Sequence, residues 1–186
     1  MRYTFVLGNA PSQKRFIDIR MQPSIGCNFA IKDHKLTHLV VADRMAVHEV
    51  RKLPVRSKTK YWCKASPLET PPGWHDLEFP GLDSGSAALA LAAELYPNNE
   101  IIAIGFDGVL GLSDENAYEY TFRPNPKPEQ IRARHRATVE QIYPDLPRTR
   151  FVSYQSDPVL ETISYDHALK IAITQSRSLY QEPYQA

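Results

Sequence analysis

The chain has 186 residues, a formal net charge of +1, 42% hydrophobic and 23% charged residues, enough for one domain with a real core. The near-neutral total makes no electrostatic case for a nucleic-acid or membrane partner. Two cysteines, Cys27 and Cys63, are too few for a disulfide framework and lack metal-site spacing; with no membrane-length apolar run and no signal-peptide pattern, a cytoplasmic protein is the expectation.

Tyr3 to Leu7 (YTFVL) reads as a first strand that breaks at once into Gly8-Asn9-Ala10-Pro11-Ser12. Such a turn offers backbone N–H groups and an amide to a phosphate or sugar. It lacks the Gly-Lys-Ser/Thr ending of a P-loop and the G-x-G-x-x-G of a dinucleotide site, and a plain strand-to-helix turn capped by Ser12 is the blander reading. Ser24 to Phe29 is a second short strand with Asn28 near its end, where a lone Asn is usually a turn residue. Leu39 to Ala42 is a third, followed by Asp43, which is either a ligand group at the strand end or the N-cap of a helix over Met45 to Arg51. Lys60 to Cys63 reads as a fourth strand near an edge, and the basic run from Arg51 to Lys64 as a solvated face. Ser66 to Pro80 is a proline-rich loop with Trp74 and His75 near its tip.

The stretch from Leu82 to Gly108 organises the rest. Ser84 and Ser86 are candidate N-caps with Gly85 between them, and Ala87 to Leu95 is apolar nearly all round, as in a helix buried on more than one side. Ile101 to Ile104 is an unalternating apolar run, the pattern of a strand covered on both faces of a parallel sheet. Gly105-Phe106-Asp107-Gly108 ends it, so Asp107 falls outside a strand's carboxyl end, where α/β sheets bind ligands. A second long connection from Val109 carries Tyr118 and Tyr120. It leads to a helix from Pro128 to Tyr143, on which Arg132, His135 and Arg136 share a face. Arg148 to Tyr154 is a further strand, and a last helix from Ser164 or Asp166 through Leu179 packs Leu169, Ala172, Ile173 and Leu179 on the sheet. Alternating strands and helices predict an α/β fold: one three-layer, Rossmann-like domain over residues 1–186, with a mainly parallel sheet.

Four of these motifs, in order over residues 5 to 108, resemble those of bacterial sialyltransferases of glycosyltransferase family 42, which use CMP-sialic acid. They are Gly8-Asn9-Ala10-Pro11-Ser12, Gly26-Cys27-Asn28, Asp83-Ser84-Gly85 and Ile104-Gly105-Phe106-Asp107. That family carries a GNGPS turn, an R-C-N strand end, a T-S-G helix start and a strand ending G-I-D-F. The signature recurs more loosely in motility-associated glycosyltransferase-like proteins and archaeal-type 6-hydroxymethylpterin diphosphokinases. The resemblance implies that Asn9 and Asn28 contact nucleotide phosphate and ribose, that Ser84 with Gly85 holds the donor, and that Gly105 and Asp107 line the nucleotide pocket. It implies further that Tyr118 and Tyr120 bond the leaving phosphate, with His135 as catalytic base. Ala10 departs from the family's second turn glycine, and the chain is shorter where those enzymes build an acceptor lid.

The function this implies is metal-independent glycosyl transfer from a nucleotide-sugar donor, by the resemblance one of CMP type, to an unidentified acceptor. A histidine deprotonates the acceptor hydroxyl, and Arg132 or Arg136 stabilises the departing phosphate. No cofactor is required by that reading. His135 is also readable as a solvated histidine on a basic helix, and His75 is the second candidate base. Two alternatives stand beside it: Mg²⁺-dependent diphosphate transfer with Asp43 and Asp107 as oxygen ligands, and a non-enzymatic nucleotide-binding module.

Overall fold

The computed structural model describes residues 2–17, 19–64, 70–79, 81–113, 128–146 and 148–181. Short apolar strands buried on both faces decide the architecture. The strands are β1 (Tyr3–Leu7), β2 (Ser24–Cys27), β3 (His38–Val41), β4 (Lys60–Cys63), β5 (His75–Asp76), β6 (Glu100–Ile104), β7 (Thr149–Val152) and β8 (Thr162–Ile163). They form one sheet in the order β5-β4-β3-β2-β1-β6-β7-β8, with every neighbouring pair parallel. Four α-helices are seen among the described residues: α1 (Arg44–Val50), α2 (Ser84–Leu95), α3 (Pro128–Ile142) and α4 (Tyr165–Gln181).

Side-chain alternation splits the core into two layers. In β1, Phe5 and Leu7 face one way and Val6 the other; in β6, Ile102 and Ile104 join the first layer while Ile101 and Ala103 join the second. The first layer is closed by Ala46, Val47 and Val50 of α1 and by Ala168, Ile171 and Ala172 of α4. The second is closed by Ala87, Ala88, Leu89, Leu91 and Ala92 of α2 and by Val139 of α3. Each fully buried Phe, Leu, Ile or Val contributes about 1.5–3 kcal/mol relative to exposure. The result is a three-layer, Rossmann-like α/β fold, as the strand and helix patterns predict.

Several local expectations are corrected. β5 lies inside the proline-rich stretch read as a loop and takes the edge position beyond β4, with Trp74 packing its ring on Tyr61 at 5.0 Å. The residues after the first turn form a 3-10 helix, Pro11–Phe16, whose N-cap is Ala10 with no side-chain cap, so Ser12 does not cap it. β2 ends at Cys27 and Asn28 opens a second 3-10 helix, in a left-handed conformation with φ of 48°. On α4 the buried face is Ala168, Ile171 and Ala172, with Leu169 partly covered and Ile173 37% exposed; the side chain of Leu179 lies outside the described residues. Among the described residues no helix is long and apolar enough to cross a membrane.

The chain leaves β1 toward β2 on one side, while β6 flanks its other side. This is a topological switch point, where connections diverge and open a crevice at the strands' carboxyl ends. At that point the backbones of Gly8 and Gly105 touch. A Cβ on Gly8 would lie 2.2 Å from the Gly105 carbonyl oxygen, and Gly105 itself has φ of +79°. Both positions require glycine for this close crossing.

Candidate functional site

A cleft of about 700 Å³ opens above the switch point. Gly8, Asn9, Asn28, Ser84, Gly85 and Gly105 line it, so six candidates dispersed along the chain meet in one place. Its far wall is α3, which brings in Arg132, Arg134 and His135. Tyr118 and Tyr120 lie outside the described residues.

Hydrogen bonds explain why these ends converge. Ser84, in the first turn of α2, donates its hydroxyl to Asn28 Oδ1 at 2.8 Å and accepts from the Ala42 N–H at 2.9 Å. One buried hydroxyl thus ties the ends of β2 and β3 to the start of α2. The N-cap of α2 is Asp83, not Ser84 or Ser86: its carboxylate accepts from the N–H groups of Gly85 and Ser86 at 2.9 and 3.1 Å and from the Ser86 hydroxyl at 2.9 Å. Asp83, which the sequence reading includes in the Asp83-Ser84-Gly85 motif without a role of its own, lines the cleft; an Asp immediately ahead of an Ala-rich run was the available signal for the cap. Burial and the Asp83 carboxylate push the pKa of Cys27, also in the cleft wall, well above the ordinary thiol range, so it stays a neutral thiol.

In the first turn, expected as an N–H cradle, the Gly8 and Ala10 N–H groups are already engaged. Gly8 N–H donates to the Ile104 carbonyl at 2.7 Å and Ala10 N–H to the Gly105 carbonyl at 3.0 Å. Ser12 and Asp107 do not line the cleft. They bond each other, with the Ser12 hydroxyl donating to Asp107 Oδ1 at 2.6 Å and its N–H approaching Oδ2 at 3.4 Å. Tyr165 at the start of α4 donates to the same Oδ1 at 3.5 Å, and burial raises that phenol to about 12, so it remains a donor. The positive φ of Gly105 interrupts the strand's alternation ahead of Asp107. Asp107 therefore anchors the turn through Ser12.

The shared face expected for Arg132, His135 and Arg136 divides. Arg132 and His135 reach the cleft, whereas Arg136 turns away and grips Asp157 through two bonds of 2.6 and 2.8 Å, with Glu140 at 2.6 Å from Nε. The Asp157 pair raises the pKa of the Arg136 guanidinium beyond its ordinary value, and Arg136 in turn holds the Asp157 carboxyl well below the usual carboxylate range. Arg136 is thereby committed to structure, and the α3 arginines that line the cleft are Arg132 and Arg134. His75 sits on edge strand β5, stacked on Trp62 at 4.7 Å, and does not line the cleft.

The carboxylate pair expected for Mg²⁺ is not assembled. Asp43 lines the cleft and caps α1, accepting from the Met45 and Ala46 N–H groups at 2.8 and 3.3 Å, while Asp107 is engaged by Ser12 away from it. Among the described residues no three His, Cys, Asp or Glu side chains gather as a metal site. These residues do not fit a shared dication between Asp43 and Asp107. Compared with family models, curated proteins and solved structures, the chain matches none of them.

Proposed function

We propose that the cleft binds a nucleotide-sugar and that the protein is a glycosyltransferase, in keeping with the resemblance of its four motifs to family 42. The carrying observation is convergence: Gly8, Asn9, Asn28, Ser84, Gly85 and Gly105 come from four separate strand or helix ends and line one cleft opposite His135. In this reading the acceptor hydroxyl gives its proton to the His135 imidazole as its oxygen bonds to the anomeric carbon. The bond from that carbon to the phosphate oxygen breaks, and its electron pair leaves with the nucleotide. Arg132 and Arg134 face the charge that develops there. His135 is preferred to His75 because only the former lines the cleft.

The test has two stages. In a thermal-shift panel of nucleotides, a ligand at a hundred times its Kd stabilises the native state by about 2.7 kcal/mol, or roughly 5–10 °C for a chain of this size. The shift is expected with EDTA present. A transfer assay scored on glycosylated acceptor, not on released nucleotide, should then lose about a hundredfold or more in His135→Ala. No shift with any nucleotide overturns the binding reading. Transfer at the wild-type rate in His135→Ala overturns the base, and activity that requires Mg²⁺ overturns the mechanism.

A further inference from the structure

We infer that the amino ends of β3 and β4, with the far end of α1, form a docking surface for an anionic phospholipid bilayer. The inference is independent of what the cleft binds. The near-neutral total charge conceals a strong asymmetry along the chain. Residues 1–64 carry 13 Lys or Arg against 4 Asp or Glu, whereas residues 65–186 carry 9 against 17. Sheet order makes this asymmetry spatial, because β2, β3 and β4 lie together on one side of β1, and β6, β7 and β8 on the other.

The basic flank gathers around Arg56. Its guanidinium donates to the carbonyls of His34 and Lys32 at 2.5 and 3.4 Å, and its backbone N–H donates to the Tyr61 hydroxyl at 3.0 Å. The Thr59 hydroxyl donates to the Leu36 carbonyl at 2.8 Å. These bonds draw the α1–β4 connection and the segment ahead of β3 to the same end of the sheet. Lys35, Arg51, Lys58 and Lys60, all exposed, share that end. Of the acids among them, Glu49 is bonded by Lys52 at 2.6 Å; that bond, with the charges of Lys52, His48 and Lys32, lowers its carboxyl pKa. In the same connection stands Val55, 80% exposed and preceded by an exposed Pro54.

An aliphatic side chain held out among cations fits a bilayer interface. It enters the acyl boundary while the ammonium and guanidinium groups meet lipid phosphates. Single-stranded nucleic acid asks instead for stacking rings, and Phe29 and Tyr61, behind Lys32 and Arg56, are buried. A duplex would set Val55 against its charged backbone. Docking by this end leaves the cleft, at the carboxyl ends of the strands, facing away from the membrane.

Vesicle flotation of the full chain tests this. At low salt it should bind phosphatidylcholine vesicles containing about a third phosphatidylserine and ignore pure phosphatidylcholine. At about 0.5 M salt, where the Debye length is ~4 Å, binding should be lost. Each cation near such a surface is worth about fivefold, so the combined Arg51→Gln, Lys58→Gln and Lys60→Gln variant should partition roughly a hundredfold more weakly. All three side chains are exposed, so its fold and Tm should hold. Lys170→Gln with Arg177→Gln, exposed on α4, should bind like wild type. Val55→Ser should weaken vesicle binding about fivefold without altering the salt dependence. Equal binding to neutral and anionic vesicles, no binding to the anionic ones, or equal losses in the triple variant and the α4 pair would overturn the surface. A DNA duplex bound more tightly than the vesicles, with Val55→Ser indifferent to both, would assign the patch to nucleic acid and overturn the lipid reading.

Discussion

Gly8→Ala should be among the costliest single-methyl additions available in this chain. The new Cβ would sit 2.2 Å from the Gly105 carbonyl oxygen and 2.8 Å from its carbon, where real Cβ atoms stay beyond 3.0 Å. Both obstructing atoms are backbone, so a rotamer change cannot relieve the clash. The turn must lift by nearly an ångström, straining the 2.7 Å bond from Gly8 N–H to Ile104 and the 3.0 Å bond from Ala10 N–H to Gly105. Overpacking of this kind costs about 1–3 kcal/mol, and each weakened bond about 0.5–1.5 kcal/mol. A loss of about 3 kcal/mol lowers Tm by roughly 6–12 °C in a chain of this length. Gly108→Ala is the matched control, because its Cβ would meet nothing nearer than 3.5 Å; that change should stay within about 0.5 kcal/mol of wild type. Calorimetric melts of the two variants decide the matter. A Gly8→Ala protein melting within 2 °C of Gly108→Ala, by roughly the resolution of such comparisons, would refute the argument that the β1–β6 crossing demands glycine.

Ser84→Ala should cost about 1–3 kcal/mol in urea unfolding, because Asn28 Oδ1 and the Ala42 N–H both lose their bond to the hydroxyl; a loss under 0.5 kcal/mol would be too small for that role. Acid stability should fall in two stages. Burial lowers His34 and His38 to about 4, so the unfolded chain takes up protons first; stability is full above about pH 6.5 and declines as pH falls toward 4, at up to about 1.4 kcal/mol per unit for each histidine. An NMR titration showing either imidazole protonated above pH 6 would contradict this. Asp157 acts lower: its depressed carboxyl contributes stability that is present above the unfolded value near 4 and lost as pH falls below it, so Asp157→Asn should flatten the Tm profile between about pH 4 and 2.

Much of this fold is legible from the chain because its signals are local. YTFVL, HLVV and EIIAI are largely apolar runs of strand length, and Asp43 ahead of a helical pattern offers the cap as one of its two readings, the one the helix geometry bears out. β5 and β8 are two residues each, too short to carry a period, and form because β4 and β7 offer them an edge. The convergence of candidate residues on one cleft was legible in their positions at strand and helix ends, but their direction was not. Asp107 stands at the expected strand end, yet the left-handed Gly105 ahead of it breaks the alternation from which its aim would be read. Arg136 lies four residues from Arg132 on the helix and so reads as sharing its face, but its partner Asp157 comes from the connection between β7 and β8, a contact that no local pattern encodes.

The central strand also sets the order in which the chain can finish folding. Phe5 pairs with Ser24 on one side and with Ile102 on the other. During synthesis the first pairing becomes available almost at once. The second must wait until more than half the chain has emerged, and until then β1 presents a bare apolar edge with unsatisfied backbone groups. Such an edge is a template for intermolecular pairing, and parallel contacts of this sequence separation form slowly. A fragment that stops before Glu100 would carry that edge permanently, together with the apolar flank of α2, and is expected to precipitate or bind a chaperone.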